Sequence, residues 1–113
     1  MLVFKKFVFY AAHRVSRFGM EHKCNTTHGH TYRLTVWAKT SVEAPLEFAA
    51  LEELCKPVVE SLDHETLNDL WELQDDPTTE RVASYIASRL RNTAVVRIEL
   101  QETETSGIVL ELP

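Results

Sequence analysis

The sequence predicts an α+β fold: an antiparallel β-sheet in β-β-α-α-β-β order with two helices packed on one face. Three observations predict it. Two long stretches read as strands, 3–13 with apolar residues on both faces and 28–39 with an apolar row on one. Apolar residues then recur at spacings of three and four through 47–62 and 79–90, giving two amphipathic helices. Two short alternating runs close the chain around Thr105-Ser106-Gly107, as in a hairpin. With 113 residues, the chain is read as one domain, 1–113.

In the first stretch Phe7, Phe9, Ala11 and His13 share one face, with Val8, Tyr10 and Ala12 on the other. Both faces are apolar, so this strand is expected to be covered on both sides, within the subunit or by another one. From Arg14 to Thr27 the alternation breaks into a polar loop carrying Gly19, Lys23 and Cys24. That is longer than a hairpin needs, and long loops in small domains are functional or disordered. The second strand sets His28, His30, Tyr32, Leu34, Val36 and Ala38 on one face, against Thr31, Arg33, Thr35, Trp37 and Lys39.

Pro45 stops any strand, and a helix is expected from near Glu47, with Phe48, Leu51, Cys55, Val58 and Leu62 as its buried stripe. Pro57 should kink it or end its regular part, because proline has no N–H to donate. Cys55 reads as a core residue. The second helix has a start signal in Asp76 or Thr78 as N-cap, Pro77 beside it and Glu80 in the first turn. Its stripe is Val82, Ala83, Ile86, Ala87 and Leu90. In the closing hairpin Val96, Ile98 and Leu100 share a face whose next member is Glu102, and Ile108, Leu110 and Leu112 form the facing row.

Composition narrows the function classes. A formal net charge of −5 argues against non-specific nucleic-acid binding, which needs excess Lys and Arg. No apolar run approaches the roughly 20 residues that cross a bilayer. The N-terminal apolar run has Lys5 and Lys6 inside it, a strand pattern rather than a signal peptide. A cytoplasmic location with both cysteines reduced is expected.

The chemistry gathers at Cys24-Asn-Thr-Thr-His28-Gly29-His30. Residues two apart on a strand project from the same side, so His28 and His30 can grip one metal ion. Gly29 between them would let something approach the backbone closely. His13 ends the other long strand and can supply a third nitrogen. Three such ligands leave one tetrahedral position open, the pattern of a catalytic zinc. The competing reading is a set of unrelated surface polar residues. Asp63-His64, where the first helix runs out, is either a solvated pair or a carboxylate orienting an imidazole for proton transfer. Glu102 either lies at the solvent edge or awaits a cationic or hydrogen-donating ligand.

Several motifs together carry a family likeness: Phe9-Tyr-Ala-Ala-His13-Arg14; His22-Lys-Cys24 ahead of His28-Gly-His30; Leu62-Asp-His64 with Leu67-Asn68-Asp69; Pro77-Thr-Thr-Glu80; and Glu102-Thr103. In this combination and order the chain resembles the 6-pyruvoyl-tetrahydropterin synthase family, in particular its bacterial 6-carboxy-tetrahydropterin synthase branch, which acts in queuosine biosynthesis. The resemblance implies the tunnelling (T-) fold, in which subunits join their sheets into a barrel as a homohexamer of two trimers, with active sites between subunits. It implies Zn2+ held by His13, His28 and His30. Cys24 is then the proton-abstracting base and Asp63 with His64 the second acid–base element, reaching the site from another subunit. Glu102, with Thr103 beside it, is implied to bind the pterin. The implied reaction is carbon–carbon lysis of 7,8-dihydroneopterin triphosphate to 6-carboxy-5,6,7,8-tetrahydropterin, acetaldehyde and triphosphate.

Three residues between Cys24 and His28 resemble the carboxy-forming enzymes, since animal-type pyruvoyl synthases have a longer insertion there. The Lys39–Leu46 connection is shorter than is usual in the family, and Glu47-Phe48 stands where Asp-Phe is common. A pyruvoyl-forming or related dihydroneopterin-processing enzyme is the alternative within the class; a non-catalytic zinc- or pterin-binding subunit is the alternative outside it. Arg14, Arg17 and Lys23 are either triphosphate contacts or ordinary solvated charges.

Overall fold

Two long alternating strands make the frame. In this computed structural model, which describes residues 1–113, β1 (Leu2–His13) and β2 (His28–Lys39) pair antiparallel over their whole length, from Leu2 opposite Lys39 to His13 opposite His28. Cross-strand partners project to the same side. The register therefore puts Phe9 on Tyr32, stacked at 4.9 Å, and lines both up with His13, His28 and His30. The odd residues of β1 and the even residues of β2 face the core, where Phe9, Tyr32, Leu34, Val36 and Ala38 are fully buried.

Helix α1 (Phe48–Leu62) covers this face with Leu51, Cys55, Val58 and Leu62 buried. Phe48 was expected in that stripe and is instead 66% exposed, since it opens the helix and Leu46 packs on the core in its place. Pro57 lies inside α1 but does not end it; the helix runs on to Leu62. Helix α2 (Thr79–Arg89) buries Val82, Ala83 and Ile86, and Thr78 is its N-cap, accepting from Arg81 N at 3.3 Å. No helix is long and apolar enough to cross a membrane.

The remaining strands complete a five-stranded sheet in the order β3-β1-β2-β4-β5, with β4 at Val95–Gln101 and β5 at Gly107–Glu111. The sheet is not wholly antiparallel as expected. The two-residue strand β3 (Glu65–Thr66) pairs parallel with Ala11 and Ala12. A register shift between Trp37 and Ala38 also sets Val95 opposite Ala38, so Val95 is buried at the start of the row where Val96 was expected. On β1 the far face is bare within the chain: Leu2, Phe4, Val8 and Tyr10 are 47, 51, 51 and 52% exposed.

Candidate metal and acid–base site

At the end of the core face, where β1 stops and β2 starts, three imidazoles meet. Their ring centroids lie 4.6 Å (His13–His28), 5.0 Å (His13–His30) and 4.9 Å (His28–His30) apart. His13 is buried and hydrogen-bonded through Nδ1 to the carbonyl of Pro77 at 2.8 Å. His28 Nδ1 bonds the carbonyl of Thr26 at 2.6 Å. A carbonyl can only accept, so both Nδ1 atoms carry the proton and both Nε2 atoms present lone pairs. Backbone carbonyls fixing the tautomer in this way are typical of metal-ligating histidine.

Glu102 continues the Ile98–Leu100 row beyond β4, as its place in the sequence indicated, and reaches the histidines. Its Oε1 lies 2.8 Å from His30 Nε2 and 3.2 Å from His13 Nε2, and Thr79 Oγ1 donates to its Oε2. Those two imidazole nitrogens are buried yet lack a partner aligned for a hydrogen bond. Imidazole nitrogens and a carboxylate oxygen converging on one point form a donor set that fits a cation. One donor atom from each of His13, His28, His30 and Glu102 falls within a 4.8 Å set. Zinc takes N and O ligands at about 2.0–2.2 Å, which small side-chain adjustments reach from here.

The electrostatics agree. Burial, reinforced by the neighbouring His13 and His28 rings, holds His30 below the ordinary imidazole value although Glu102 pulls it upward, so the ring favours its neutral, ligating form. The His13 ring first, then the Thr79 hydroxyl and His30, bring Glu102 down to about 2 against the effect of its partial burial. It is a carboxylate at neutral pH.

The family profile for 6-pyruvoyl tetrahydropterin synthase matches residues 2–112. The chain belongs to this family. Among curated relatives, the 6-carboxy-5,6,7,8-tetrahydropterin synthase of Synechocystis sp. is 33% identical over 118 aligned positions, covering 94% of this chain and 89% of that one. The dihydroneopterin monophosphate aldolase of Pyrococcus furiosus is 33% identical over 91 residues, covering 74% and 77%. Caenorhabditis elegans 6-pyruvoyl tetrahydropterin synthase has the same fold, with a TM-score of 0.86 at 22% identity over 100% of this chain and 96% of the other. The Plasmodium falciparum synthase aligns at a TM-score of 0.68 and 19% identity, over 97% and 96%.

Within one chain of this family member the expected residues fall into separate groups. His13, His28 and His30 come together. Cys24 is a free, partly exposed thiol in the short helical turn Lys23–Asn25, which His22 Nδ1 caps by accepting from Cys24 N at 3.1 Å. Thr103 stays in the β4–β5 turn, its hydroxyl 2.5 Å from that of Ser106.

Asp63 and His64 do not join the cluster. Asp63 Oδ1 accepts from Tyr10 N at 2.9 Å, and its Oδ2 lies 3.0 Å from His64 Nδ1. The His64 ring packs edge-on against Tyr10 at 5.9 Å. His64 N also donates to Tyr10 O at 2.6 Å, so the pair lies at the edge of the sheet beside β1, where it leads into β3. Tyr10 is one residue out of phase with Ala11 and His13, and the His64 ring against it therefore turns to the face away from the cluster. There His64, without Asp63, borders an open cavity of about 470 Å³ with Tyr10, Gly29, His30 and Thr31. His64 also has φ 61°, the left-handed region, which costs a side chain other than glycine about 1 kcal/mol. A β-carbon at Gly29 would make only ordinary contact, with Ala11 O at 3.9 Å, so nothing of this chain presses on that position.

Sequence reasoning missed the bracing residues. Thr79 holds Glu102, and the Pro77 carbonyl orients His13, yet Pro77-Thr78-Thr79-Glu80 read as a helix start and a piece of the family likeness, with no role at the site. Arg17, though exposed, is engaged by Asp76, 3.1 Å from Nε to Oδ2, which leaves Arg14 and Lys23 as the exposed cations of the loop without a carboxylate partner.

Proposed function

We propose that the chain is a zinc-dependent 6-carboxytetrahydropterin synthase, a carbon–carbon lyase of queuosine biosynthesis. Its substrates are 7,8-dihydroneopterin triphosphate and one water, and its products are 6-carboxy-5,6,7,8-tetrahydropterin, acetaldehyde and triphosphate. The carrying observation is the convergence of His13, His28 and His30, with two tautomers fixed by backbone carbonyls, in a chain one-third identical to the Synechocystis synthase along nearly all of its length.

In this reading His13, His28 and His30 hold the zinc. A zinc ion there polarises the oxygens of the substrate's side chain and makes the adjoining C–H acidic. Cys24, as thiolate, takes that proton. Glu102, ionised at neutral pH, accepts from the amino and ring N–H groups of the pterin, with Thr103 beside it. Asp63 orients His64, which returns a proton to the departing fragment. Because this pair stands apart from the cluster, with the His64 ring turned to the other face, it serves the site of a neighbouring subunit. The assembly is a homohexamer of two trimers with sheets joined into a barrel, and the bare apolar face of β1 is what that joining covers. Arg14 and Lys23 meet the triphosphate.

The test is product analysis. Zinc-loaded protein incubated with 7,8-dihydroneopterin triphosphate should yield acetaldehyde and the 6-carboxy product by mass. A 6-pyruvoyl product moves the enzyme to the other branch. The likeness to the Pyrococcus aldolase favours a second reading, side-chain cleavage of dihydroneopterin monophosphate, which the same assay with the monophosphate separates. No turnover of any of these substrates by zinc-loaded protein would overturn the enzyme reading.

A further inference from the structure

β1 ends at His13, and with it the ladder that satisfied its backbone. The next three N–H groups are nevertheless all taken, each by a different part of the chain. Arg14 N donates to Asn68 Oδ1 at 2.8 Å, and Asn68 Nδ2 donates back to Arg14 O at 2.9 Å. Val15 N donates to Cys24 O at 2.7 Å. Ser16 N donates to Asp76 Oδ1 at 3.0 Å, and Arg17 Nε donates to Asp76 Oδ2 at 3.1 Å. Asn68 thus stands in for a missing strand neighbour, a task that needs the donor and acceptor of one planar amide. Asp76 is 7% exposed, and a carboxylate so buried is kept only where hydrogen bonds and a charge answer it.

The backbone bonds of the loop that follows run within it: Gly19 N to Ser16 O, His22 N to Gly19 O, Asn25 N to His22 O and Thr26 N to Lys23 O. Only the Val15–Cys24 bond ties the thiol-bearing turn back to the strand that carries His13. Val15 itself is buried, at 4% exposure. The place of Cys24 relative to the histidines therefore follows the place of Val15, and Asn68 and Asp76 grip the residues on either side of Val15.

We infer that Asn68 and Asp76 are positioning residues for Cys24: they hold residues 14–17 as a fixed rail, and the Val15–Cys24 bond passes that position to the thiol. This rests on the proposed role of Cys24 as the base. Neither side chain bonds a histidine, but Asp76 precedes Pro77, whose carbonyl orients His13, so zinc content is measured for every variant. A displacement of about 1 Å in a reacting group costs on the order of 100-fold in rate, which is the scale at stake.

The test compares zinc-loaded wild type with Asn68→Ala, Asn68→Asp and Asp76→Asn. Asn68→Asp keeps the acceptor for Arg14 N and loses the donor to Arg14 O. Asp76→Asn keeps the shape and loses the charge that engages Arg17. For Asn68→Ala we expect kcat lower by about 10- to 100-fold, with KM and zinc content unchanged. The rate of Cys24 alkylation by iodoacetamide, read on the Cys24 peptide, should shift severalfold. The two conservative variants should fall between Asn68→Ala and wild type. Unchanged kcat and unchanged alkylation in folded Asn68→Ala would overturn the inference, as would a loss of zinc that accounts for all lost activity. If the alanine variant does not fold, the conservative pair decides. Native-state hydrogen exchange on wild type gives an arm free of mutation: the amides of residues 14–16 should be protected like those of β1, and exchange at the rate of an open loop sinks the idea. Absence of wild-type turnover would fail the proposed function and leave the alkylation and exchange arms to judge the positioning role.

Discussion

Asp63 is a residue whose charge the fold uses even before any chemistry. Tyr10 N–H donates to it and the His64 ring lies beside it, and these hold its carboxyl below the ordinary value of 3.8. A carboxylate with a lowered folded-state pKa stabilises the fold above its unfolded value, and that contribution is lost as pH falls through the folded value. Asp63→Asn keeps an acceptor for Tyr10 N but removes the charge. Thermal midpoints of wild type and Asp63→Asn should therefore differ at neutral pH, with wild type higher, and should converge as pH falls below 3.8. A gap that stays constant through acid would show that the charge contributes nothing. The histidines were legible in the sequence because strand alternation alone puts His28 and His30 on one side and His13 in register with them. Glu102 was legible as the next member of an apolar row. The braces were not. Asn68 and Asp76 lie 54 and 60 positions from the backbone they hold, and no local pattern records a partner that distant.

Elements were legible where their period was long and uninterrupted, and misread at their ends. β3 has two residues and no period at all; only its pairing with Ala11 and Ala12 defines it. Val95 replaces Val96 because a shift in register, invisible in the apolar row itself, exchanges the faces of the first residues of β4. At the start of α1, Glu47 occupies the N-cap with the extended φ and ψ of a capping residue, but its side chain makes no capping bond. Aspartate, one methylene shorter, reaches the orphan N–H groups of the first turn. Glu47→Asp should raise stability by about 0.5–1 kcal/mol, read as a higher urea midpoint at unchanged slope; an equal or lower midpoint would show that the first turn is already satisfied by water. At the start of β5 the constraint is steric. A β-carbon on Gly107 would lie 2.5 Å from Leu100 O and 2.8 Å from Gln101 Cα, both backbone atoms. Gly107→Ala should cost about 1–3 kcal/mol by forcing the hairpin apart, and a midpoint equal to wild type would mean that the strands separate at no expense.

At the scale of the whole molecule, one chain presents two incomplete halves. The core face ends in the histidine cluster, with Cys24 in the loop that leads to His28, and at the edge of β1 Asp63 precedes His64, whose ring borders an open cavity on the other face. The same face of β1 leaves Leu2, Phe4, Val8 and Tyr10 about half exposed. This strip, interrupted by the exposed Lys6, is the surface that the proposed assembly would cover. If subunits assemble as proposed, each site takes its thiol and metal ligands from one chain and its Asp63–His64 pair from another. Cys24→Ala and His64→Ala should then each be inactive alone, and Cys24→Ala should keep its zinc, because three imidazoles hold the ion without the thiol. Co-expression of the two variants should restore activity. With random mixing, a site needs its Cys24 from the His64→Ala chain and its His64 from the Cys24→Ala chain, so about a quarter of sites are complete. Recovery near that fraction in isolated hetero-oligomers, with no recovery when purified variants are mixed without exchanging subunits, would support the shared site. Mixed oligomers that form and remain inactive would place all the catalytic groups of each site on one chain, and Asp63 and His64 would then have to move from the edge of β1 to the cluster to act.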